Sequence, residues 1–214
     1  GRAALRTDVL AKEVQDRVVA VGKTITAAGG MVDYGARPDF DAAEAHGIFR
    51  TLLWSAMAAR TPDADFAKLL EAAGELSPDD RSGGAQMLRM QTITYHDRYT
   101  AHNKRMHLRW AWDAFFHDYD ALIAPIMATP AFEHDHSDMG KRKITIDGEE
   151  RPYWEQLFWA GMAVCSYLPS TVIPTSPNDE GLPIGVQIIG RQYGDLETIG
   201  LAKLLEAEGY AFTP

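Results

Sequence analysis

The chain has 214 residues, of which 46% are hydrophobic and 24% charged, as in an ordinary globular domain. Its 21 Lys and Arg against 30 Asp and Glu give a net charge of −9, which argues against general nucleic-acid binding. The single cysteine, Cys165, excludes an internal disulfide and fits a reducing compartment. The N-terminus has no apolar stretch of signal-peptide length, and the longest uncharged run, 156–178, contains three prolines. We therefore expect a cytoplasmic protein without a membrane span.

The sequence up to residue 118 carries the spacing of amphipathic helices. Apolar residues at helical intervals predict a helix over 5–28, which Gly29-Gly30 would end. Asp41 with Glu44 three residues later is a capping-box pattern, and it predicts the start of a second helix. That helix should end before Thr61-Pro62.

Two further helical regions follow. A shorter helix is predicted over 63–73, and Ser77, followed by proline, is predicted to be the N-cap of the next. The segment 86–117 lacks Gly and Pro, and it predicts one or two long helices. Its large apolar side chains are expected to form a packing stripe: Tyr95, Tyr99, Met106, Trp110 and Phe116.

From residue 119 the pattern changes to strands. The run "YDALIAPIM" is typical of a buried strand, and "KITIDGEERPY" predicts a hairpin that turns at Asp147-Gly148. A helix over "YWEQLFWAGMAV" should precede two antiparallel strands, "STVIPTS" and "PIGVQIIG", joined at "PNDEG". In the second strand, Gln187 is expected to find hydrogen-bond partners for its amide. A last helix begins at Asp195, with Ile199, Ala202 and Leu205 expected on one face.

The residues from Tyr119 to Leu205 resemble the C-terminal part of the amidase signature family. The matching pieces are "YDALIAPIMATPAF", "HDHS", "ITIDGEERPYWEQLFWAGMA" and "LPSTVIPTSPNDEGLPIGVQIIGRQYGDLETIGLAKLLE". The resemblance implies an α/β fold, in which the chain is the C-terminal portion of an α/β/α sandwich around a mixed central sheet. It also implies that residues 1–214 form a single fragment of one amidase domain, helical over 1–118 and sheet-bearing over 119–214.

Family members are amide hydrolases that use a serine nucleophile, a second serine and a lysine, without a metal or organic cofactor. The serines lie in a segment of the form GGSSGG, whose glycines let backbone N–H groups face the developing oxyanion. The nearest candidates here are Gly29-Gly30 and Ser82-Gly83-Gly84, and neither contains paired serines. We therefore expect no catalytic residue in this chain, no activity from it alone, and a missing N-terminal half as its partner.

Other candidate sites have simpler interpretations. Cys165 would be the nucleophile of a cysteine hydrolase, but a lone cysteine in an apolar helix is usually buried and inert. The 134–136 segment, His-Asp-His, lacks the third and fourth ligands of a metal site and reads as a polar loop. The acidic 178–181 segment lacks calcium-loop spacing and reads as a turn. The histidines of the long helical region, such as His96 and His107, are expected to be solvated or hydrogen-bonded helix residues.

The resemblance implies that this part of the family builds a wall of the pocket for a small amide substrate. By position it implicates six apolar or weakly polar residues: Met127, Thr129, Pro130, Trp154, Phe158 and Trp159. Pockets and cores share this composition, so core packing is the alternative for each. A fragment that lacks its neighbours is also expected to self-associate. The alternative for the whole chain is a stand-alone binding or scaffolding domain that has an amidase-like fold without catalysis.

Overall fold

The computed structural model describes residues 10–137 and 141–211. Among these residues, five helices come before the first strand, and the strands are concentrated in the second half, as the sequence predicts. The mixture of helices and strands confirms the expected α/β class. The helices are α1 Lys12–Ala27, α2 Ala42–Ala58, α3 Asp63–Gly74, α4 Gly83–Gln91, α5 Tyr95–Phe115, α6 Leu157–Cys165 and α7 Asp195–Ala207. The strands are β1 Leu122–Pro125, β2 Lys143–Ile146, β3 Glu149–Pro152, β4 Ser170–Pro174 and β5 Gly185–Ile189, and a 3₁₀ turn covers Tyr153–Gln156.

Helix α1 begins at Lys12, later than predicted, because Leu10 and Ala11 are not helical; its end and the start of α2 fall where the sequence predicts. The residues predicted to begin the first helix, 5–9, lie outside the described residues. At its other end Gly29 adopts φ +93° and donates to the Thr26 carbonyl, while Gly30 donates to the Ile25 carbonyl at 2.9 Å. This pair of bonds is a Schellman motif, which needs a residue of positive φ where glycine stands. Asp41 caps α2, because its carboxylate accepts from the Glu44 backbone N–H at 2.7 Å.

The predicted N-cap at Ser77 is wrong. Residues 77–80 form a turn, closed by the Asp80 N–H on the Ser77 carbonyl at 3.0 Å. The next helix, α4, begins six residues later, where the Ser82 hydroxyl accepts from the Ala85 N–H at 3.2 Å. A serine followed by proline is common both at the start of a helix and in a turn, so the local sequence does not distinguish these two structures. The predicted helical segment 86–117 divides into α4 and α5, and Thr94 caps the second.

The expected packing stripe is wrong for its aromatic members on α5, whereas Phe116, just after the helix, stacks on the buried Trp112 as predicted. Tyr95 is 80% exposed and Trp110 is 62% exposed. The side chains that α5 buries are Ala101, Leu108, Trp112 and Phe115. These residues also recur at helical spacing, but the sequence offers aromatic residues on more than one face. Packing against α2 and the sheet decides which face is buried.

The sheet confirms the predicted strand pairing. Its order is β1-β5-β4, and β5 pairs antiparallel with both neighbours. Val172 of β4 lies opposite Gln187 of β5, and the connection between the strands turns at the predicted Pro-Asn-Asp-Glu-Gly segment. Asn178 Oδ1 accepts from the Glu180 and Leu182 N–H groups there, so this segment is a turn.

Helices cover both faces of this sheet, which gives three layers. On one face Val186 and Ile188 pack with Val21 of α1 and Leu205 of α7. On the other face Ile189 packs with residues of α5 and α6, including Trp112 and Ala163. The alternation of side chains along β5 therefore supplies two separate cores. In α7, Leu205 is buried as expected, whereas Ile199 is 43% exposed and does not join the buried face.

A second, two-stranded sheet is the predicted hairpin of β2 and β3. Asp147 and Gly148 both have positive φ, 49° and 86°, as a two-residue hairpin turn of this kind requires. Ile144 and Ile146 are buried in a cluster with Val14 of α1. The Asp147 carboxylate accepts from the Lys12 backbone N–H at 3.0 Å, so the hairpin turn also caps α1.

Candidate functional site

A cleft of about 210 Å³ opens at the end of β1. The loop that follows this strand supplies one wall, and it carries three of the predicted substrate residues: Met127, Thr129 and Pro130. Val14 of α1 and Ile184, just before β5, contribute apolar side chains from elements on either side. All the residues that line the cleft are uncharged, and most are apolar. Such a lining suits an apolar ligand group.

The other three predicted substrate residues do not line this cleft. The ring of Trp154 packs edge to face against that of Trp54, with centroids 4.9 Å apart. Phe158 and Trp159 are buried in α6 and pack edge to face at 5.0 Å. Their local surroundings are those of core residues. A substrate-binding role for any of the six stays a prediction.

Two polar side chains of the cleft have buried atoms without a hydrogen-bond partner among the described residues. They are Gln156, through its Oε1 atom, and Thr129, through its Oγ1 atom. Gln156 is the last residue of the 3₁₀ turn and is only 3% exposed. Sequence reasoning missed Gln156, because a single glutamine next to Glu155 in a predicted helix gives no signal of its own. A buried amide oxygen without a hydrogen-bond partner is costly, because it loses its hydration without a replacement bond.

A second, much smaller cavity lies between α2, α5 and α6. Its volume is about 20 Å³, which is enough for one water. Phe158, Ser166 and Cys165 are among the residues that line it. This cavity is too small for an organic substrate.

Cys165 has the surroundings of a structural cysteine. It is 6% exposed and packs in a cluster with Phe49 and Leu52. Burial raises the pKa of its thiol from the ordinary 9.0 to about 11, although the charge of Arg105 works in the opposite direction. At neutral pH the thiol is therefore protonated, and the thiolate is the form that attacks a carbonyl. The burial of Cys165 and the raised pKa of its thiol therefore argue against a cysteine-nucleophile mechanism.

The glycine-rich segments serve as helix boundaries. Gly29-Gly30 close α1, and the Ser82 hydroxyl is occupied as the N-cap of α4. Neither segment lies in the cleft. Both segments therefore have a structural role at a helix end.

The His-Asp-His segment is an exposed loop. The rings of His134 and His136 are 6.0 Å apart, and the Asp135 carboxylate accepts from the Ser137 backbone N–H at 2.8 Å. This hydrogen bond lowers the pKa of Asp135. Within residues 10–137 and 141–211, no three His, Cys, Asp or Glu side chains are grouped so that they could hold a metal ion. In the same part of the chain, no helix combines the length and the apolar character that a bilayer crossing needs.

The comparisons with known proteins define the family. The family model described as Amidase matches residues 9–199, which is most of the chain. The chain therefore belongs to the amidase signature family, and the resemblance seen in its sequence is confirmed.

Two curated relatives illustrate the sequence similarity. Over 105 residues, 47% of this chain, it is 33% identical to an indoleacetamide hydrolase from Bradyrhizobium diazoefficiens. Over 107 residues, 49% of the chain, it is 27% identical to one of the subunits of a glutamyl-tRNA(Gln) amidotransferase from Haloarcula marismortui. These matches cover only 18% and 23% of the two relatives.

Solved structures share the fold over nearly the whole chain. A crystal structure of an amidase has a TM-score of 0.65 at 19% identity, covering 94% of this chain and 43% of that one. A bacterial aryl acylamidase of the same family has a TM-score of 0.61 at 21% identity, covering 89% and 39%. The chain thus spans less than half the length of these family members.

Proposed function

We propose that this chain is the C-terminal part of a serine amide hydrolase and supplies one wall of its substrate pocket. The observation that carries the proposal is the uncharged cleft after β1, in a chain of the amidase signature family. The serine, the second serine and the lysine would come from an N-terminal half, which is the proposed partner. A family domain divided between two halves in this way would explain why the chain spans less than half the length of each solved relative.

The proposed reaction cleaves a C–N amide bond in two stages. The hydroxyl oxygen of the serine nucleophile in the N-terminal half attacks the substrate carbonyl carbon. The second serine, which is paired with the lysine, acts as the base and accepts the hydroxyl proton. That proton passes to the leaving nitrogen, so that an amine or ammonia departs and an acyl-serine ester remains. Water then hydrolyses the ester, which restores the serine and releases the acid. This scheme uses no metal or organic cofactor.

The role of this chain in that scheme is to bind and orient the substrate. Met127, Pro130 and Ile184 offer apolar surface to the acyl or aryl group, and burying that surface is worth ~25 cal/mol per Å². Binding of a remote substrate group lowers KM. It also places the carbonyl within reach of a nucleophile held on a separate element.

The test is to express this chain together with the region encoded upstream of Gly1 and to measure amine release from simple aryl and alkyl amides. Met127→Ala should raise KM about fivefold with little change in kcat, because the methionine would bind substrate and transition state alike. The matched control is Met57→Ala, an exposed methionine on α2.

Two results would overturn the proposal. One is an upstream region that contains no serine-lysine set. The other is a longer protein that contains the set but hydrolyses no amide. Either result favours the alternative of a binding or scaffolding domain without catalysis.

A further inference from the structure

We propose that Arg105, Arg109 and Tyr167 form a binding site for a phosphate group on the surface of α5. None of the three residues lines the cleft, so the proposal goes beyond the proposed function and does not depend on it. Three observations carry it. They are the placement of two guanidinium groups on one aromatic ring, the charge that these groups leave without a counter-ion, and the backbone conformation of the tyrosine.

The two arginines lie about one turn apart on the same face of α5. Residues four positions apart on a helix are neighbours, and their stems are about 6 Å apart along the axis. Both guanidinium groups lie over the ring of Tyr167, with central carbons 4.5 Å (Arg105) and 5.5 Å (Arg109) from the ring centroid. The tyrosine is 51% exposed. One ring therefore holds two positive charges together at the surface.

The charge of this pair is not neutralised within the part of the chain that the structure describes. Arg105 donates to Nδ1 of His102 at 2.5 Å, and a ring nitrogen that accepts belongs to a neutral imidazole. Arg109 donates to Oε1 of Gln192 and to Sδ of Met106. All three acceptors are thus uncharged, and no described carboxylate forms an ion pair with either arginine.

Cations adjacent to the site do have carboxylate partners. Lys104, which precedes the first arginine of the pair, contacts Glu44 at 3.0 Å, and Arg191 pairs with Glu197. Two like charges on one helix face repel each other, so an anion between them is attracted by both. The net charge of the chain is −9, which repels anions in general. Anion binding here would therefore come from the arginine pair and not from the field of the whole protein.

The backbone of Tyr167 is the third observation. Its φ is +58°, in the left-handed region, at the position after α6 where glycine usually ends a helix. The Tyr167 N–H donates to the Val164 carbonyl at 3.3 Å, and the Leu168 N–H donates to the Ala163 carbonyl at 3.1 Å, which is a Schellman motif. A bulky side chain is strained in this conformation, and such strain is concentrated at functional sites. A glycine would relieve the strain but would leave the two guanidinium groups without their shared ring.

The ligand that suits this arrangement is a doubly charged oxyanion. Guanidinium groups donate pairs of parallel N–H bonds that match the oxygens of phosphate. The Nε atoms of both arginines are buried, so the ligand would contact the terminal Nη groups. Of the four terminal N–H donors on each guanidinium, described residues occupy one on Arg105 and two on Arg109. A phosphate group, free or as a monoester, carries close to two negative charges at neutral pH, whereas a carboxylate carries one.

The test is calorimetric titration of the 214-residue chain at pH 7.5 with inorganic phosphate, phenyl phosphate and acetate, at constant ionic strength. Acetate should bind at least about tenfold more weakly than inorganic phosphate, because it neutralises only one of the two charges. Arg105→Gln and Arg109→Gln should each weaken phosphate binding about tenfold or more, as expected for charge-assisted hydrogen bonds. Arg81→Gln makes the same charge change at an exposed arginine before α4 and is the matched control, without effect on binding.

Two variants of the tyrosine separate a binding role from a structural one. Tyr167→Phe retains the ring and should bind phosphate within about twofold of the wild type. Tyr167→Gly relieves the strained backbone, so the urea concentration at its unfolding midpoint should equal or exceed that of the wild type. Its phosphate binding should nevertheless weaken about threefold, because the arginines lose the ring that holds them together.

The two phosphates distinguish the sources of the ligand. Tighter binding of phenyl phosphate would identify a monoester, and equal binding would identify the phosphate group alone; both results support the site. The proposal would be overturned by a wild-type chain that binds no phosphate at millimolar concentration, or by acetate that binds as tightly as phosphate. Phosphate binding that is unchanged in Arg105→Gln and Arg109→Gln would also overturn it. Turnover of an amide by the longer protein is independent of these outcomes.

Discussion

The side-chain nitrogen of Gln187 lies 3.0 Å from the carbonyl oxygen of Trp159 and thereby ties the central strand β5 to helix α6. The same nitrogen donates to the Pro125 carbonyl of β1 at 2.7 Å, and the Gln187 oxygen accepts from Ser170 of β4. One buried amide thus joins all three strands of the sheet to the helix that covers them. Satisfied polar networks of this kind also fix strand register, because a shift by one residue would break every bond.

Replacement of this amide should therefore be costly. Gln187→Leu would leave buried carbonyls without their donor, and we expect it to lower the free energy of unfolding by about 2–4 kcal/mol. Urea denaturation measures the change. Gln15→Leu, on the exposed side of α1, should stay within about 0.5 kcal/mol of the wild type. A similarly small change for Gln187→Leu would show that the network contributes no net stability.

The buried thiol gives a pH-dependent prediction. Because folding raises the pKa of Cys165 from 9.0 to about 11, the folded state favours the protonated thiol. Its contribution to stability is fully present below pH 9 and is lost as the pH rises from 9 to about 11. We expect Cys165→Ala to flatten this part of the stability curve, as followed by urea unfolding at several pH values.

The same burial should protect Cys165 from thiol reagents. At pH 8 the native protein should react slowly with a disulfide reagent, and the urea-unfolded chain should react at the rate of a free cysteine. Rapid labelling of the native protein would mean that the thiol is accessible or its pKa lowered, which would reopen the cysteine-nucleophile hypothesis.

The 214-residue chain alone should not hydrolyse amides. The residues that line the cleft include no serine, and Ser82, beside the glycine pair, is occupied as the N-cap of α4. The assay is amine release from a panel of aryl and alkyl amides, followed through each purification step. Activity that co-purifies with the chain would contradict the prediction, and its loss in Cys165→Ser would identify the nucleophile.

The isolated chain is also expected to self-associate. Val164, Tyr167 and Val172 are apolar side chains with exposures of 63%, 51% and 52%. The first two lie at the end of α6 and the third on β4, a strand whose outer edge pairs with no other described strand. Open strand edges and exposed apolar side chains both promote association, and the net charge of −9 does not cover them locally.

Light scattering at micromolar concentration tests this prediction. The mass should exceed the 23.7 kDa of one chain, and Val172→Lys should shift it toward that value by placing a charge on β4. Leu70→Lys, at an exposed leucine of α3, is the matched control and should leave the mass unchanged. A wild-type protein that is monomeric throughout would refute the prediction and favour a complete domain.

The fold was predictable wherever local chemistry determines local structure. Asp41 caps α2, Gly29 ends α1, and Asp147 with Gly148 turns the hairpin, each because few residue types suit that backbone position. The errors arose where several arrangements have the same local preference. Ser77 suits a turn as well as a cap, and Trp110 suits a core as well as a surface.

The candidate site was predictable only in part, for a related reason. Met127 and Trp159 are both apolar, but the first lines the cleft and the second lies in the core. Hydrophobicity alone does not distinguish a cleft position from a core position. The difference depends on which helices and strands surround the side chain in the folded protein. Gln156 was missed, since its significance depends on the absence of a nearby partner, which only the assembled structure reveals.

The hydrogen bonds between Asp147 and Lys12 have a consequence for the order of events during synthesis. The two residues are 135 positions apart, so α1 emerges long before the hairpin turn that caps it. At 5–20 residues per second the interval is roughly 7–27 s, during which the first helix lacks both its cap and the sheet that covers it. Apolar residues of α1 such as Val21 stay uncovered over that interval. We therefore expect the nascent chain to be prone to association before the sheet forms, whatever the stability of the finished fold.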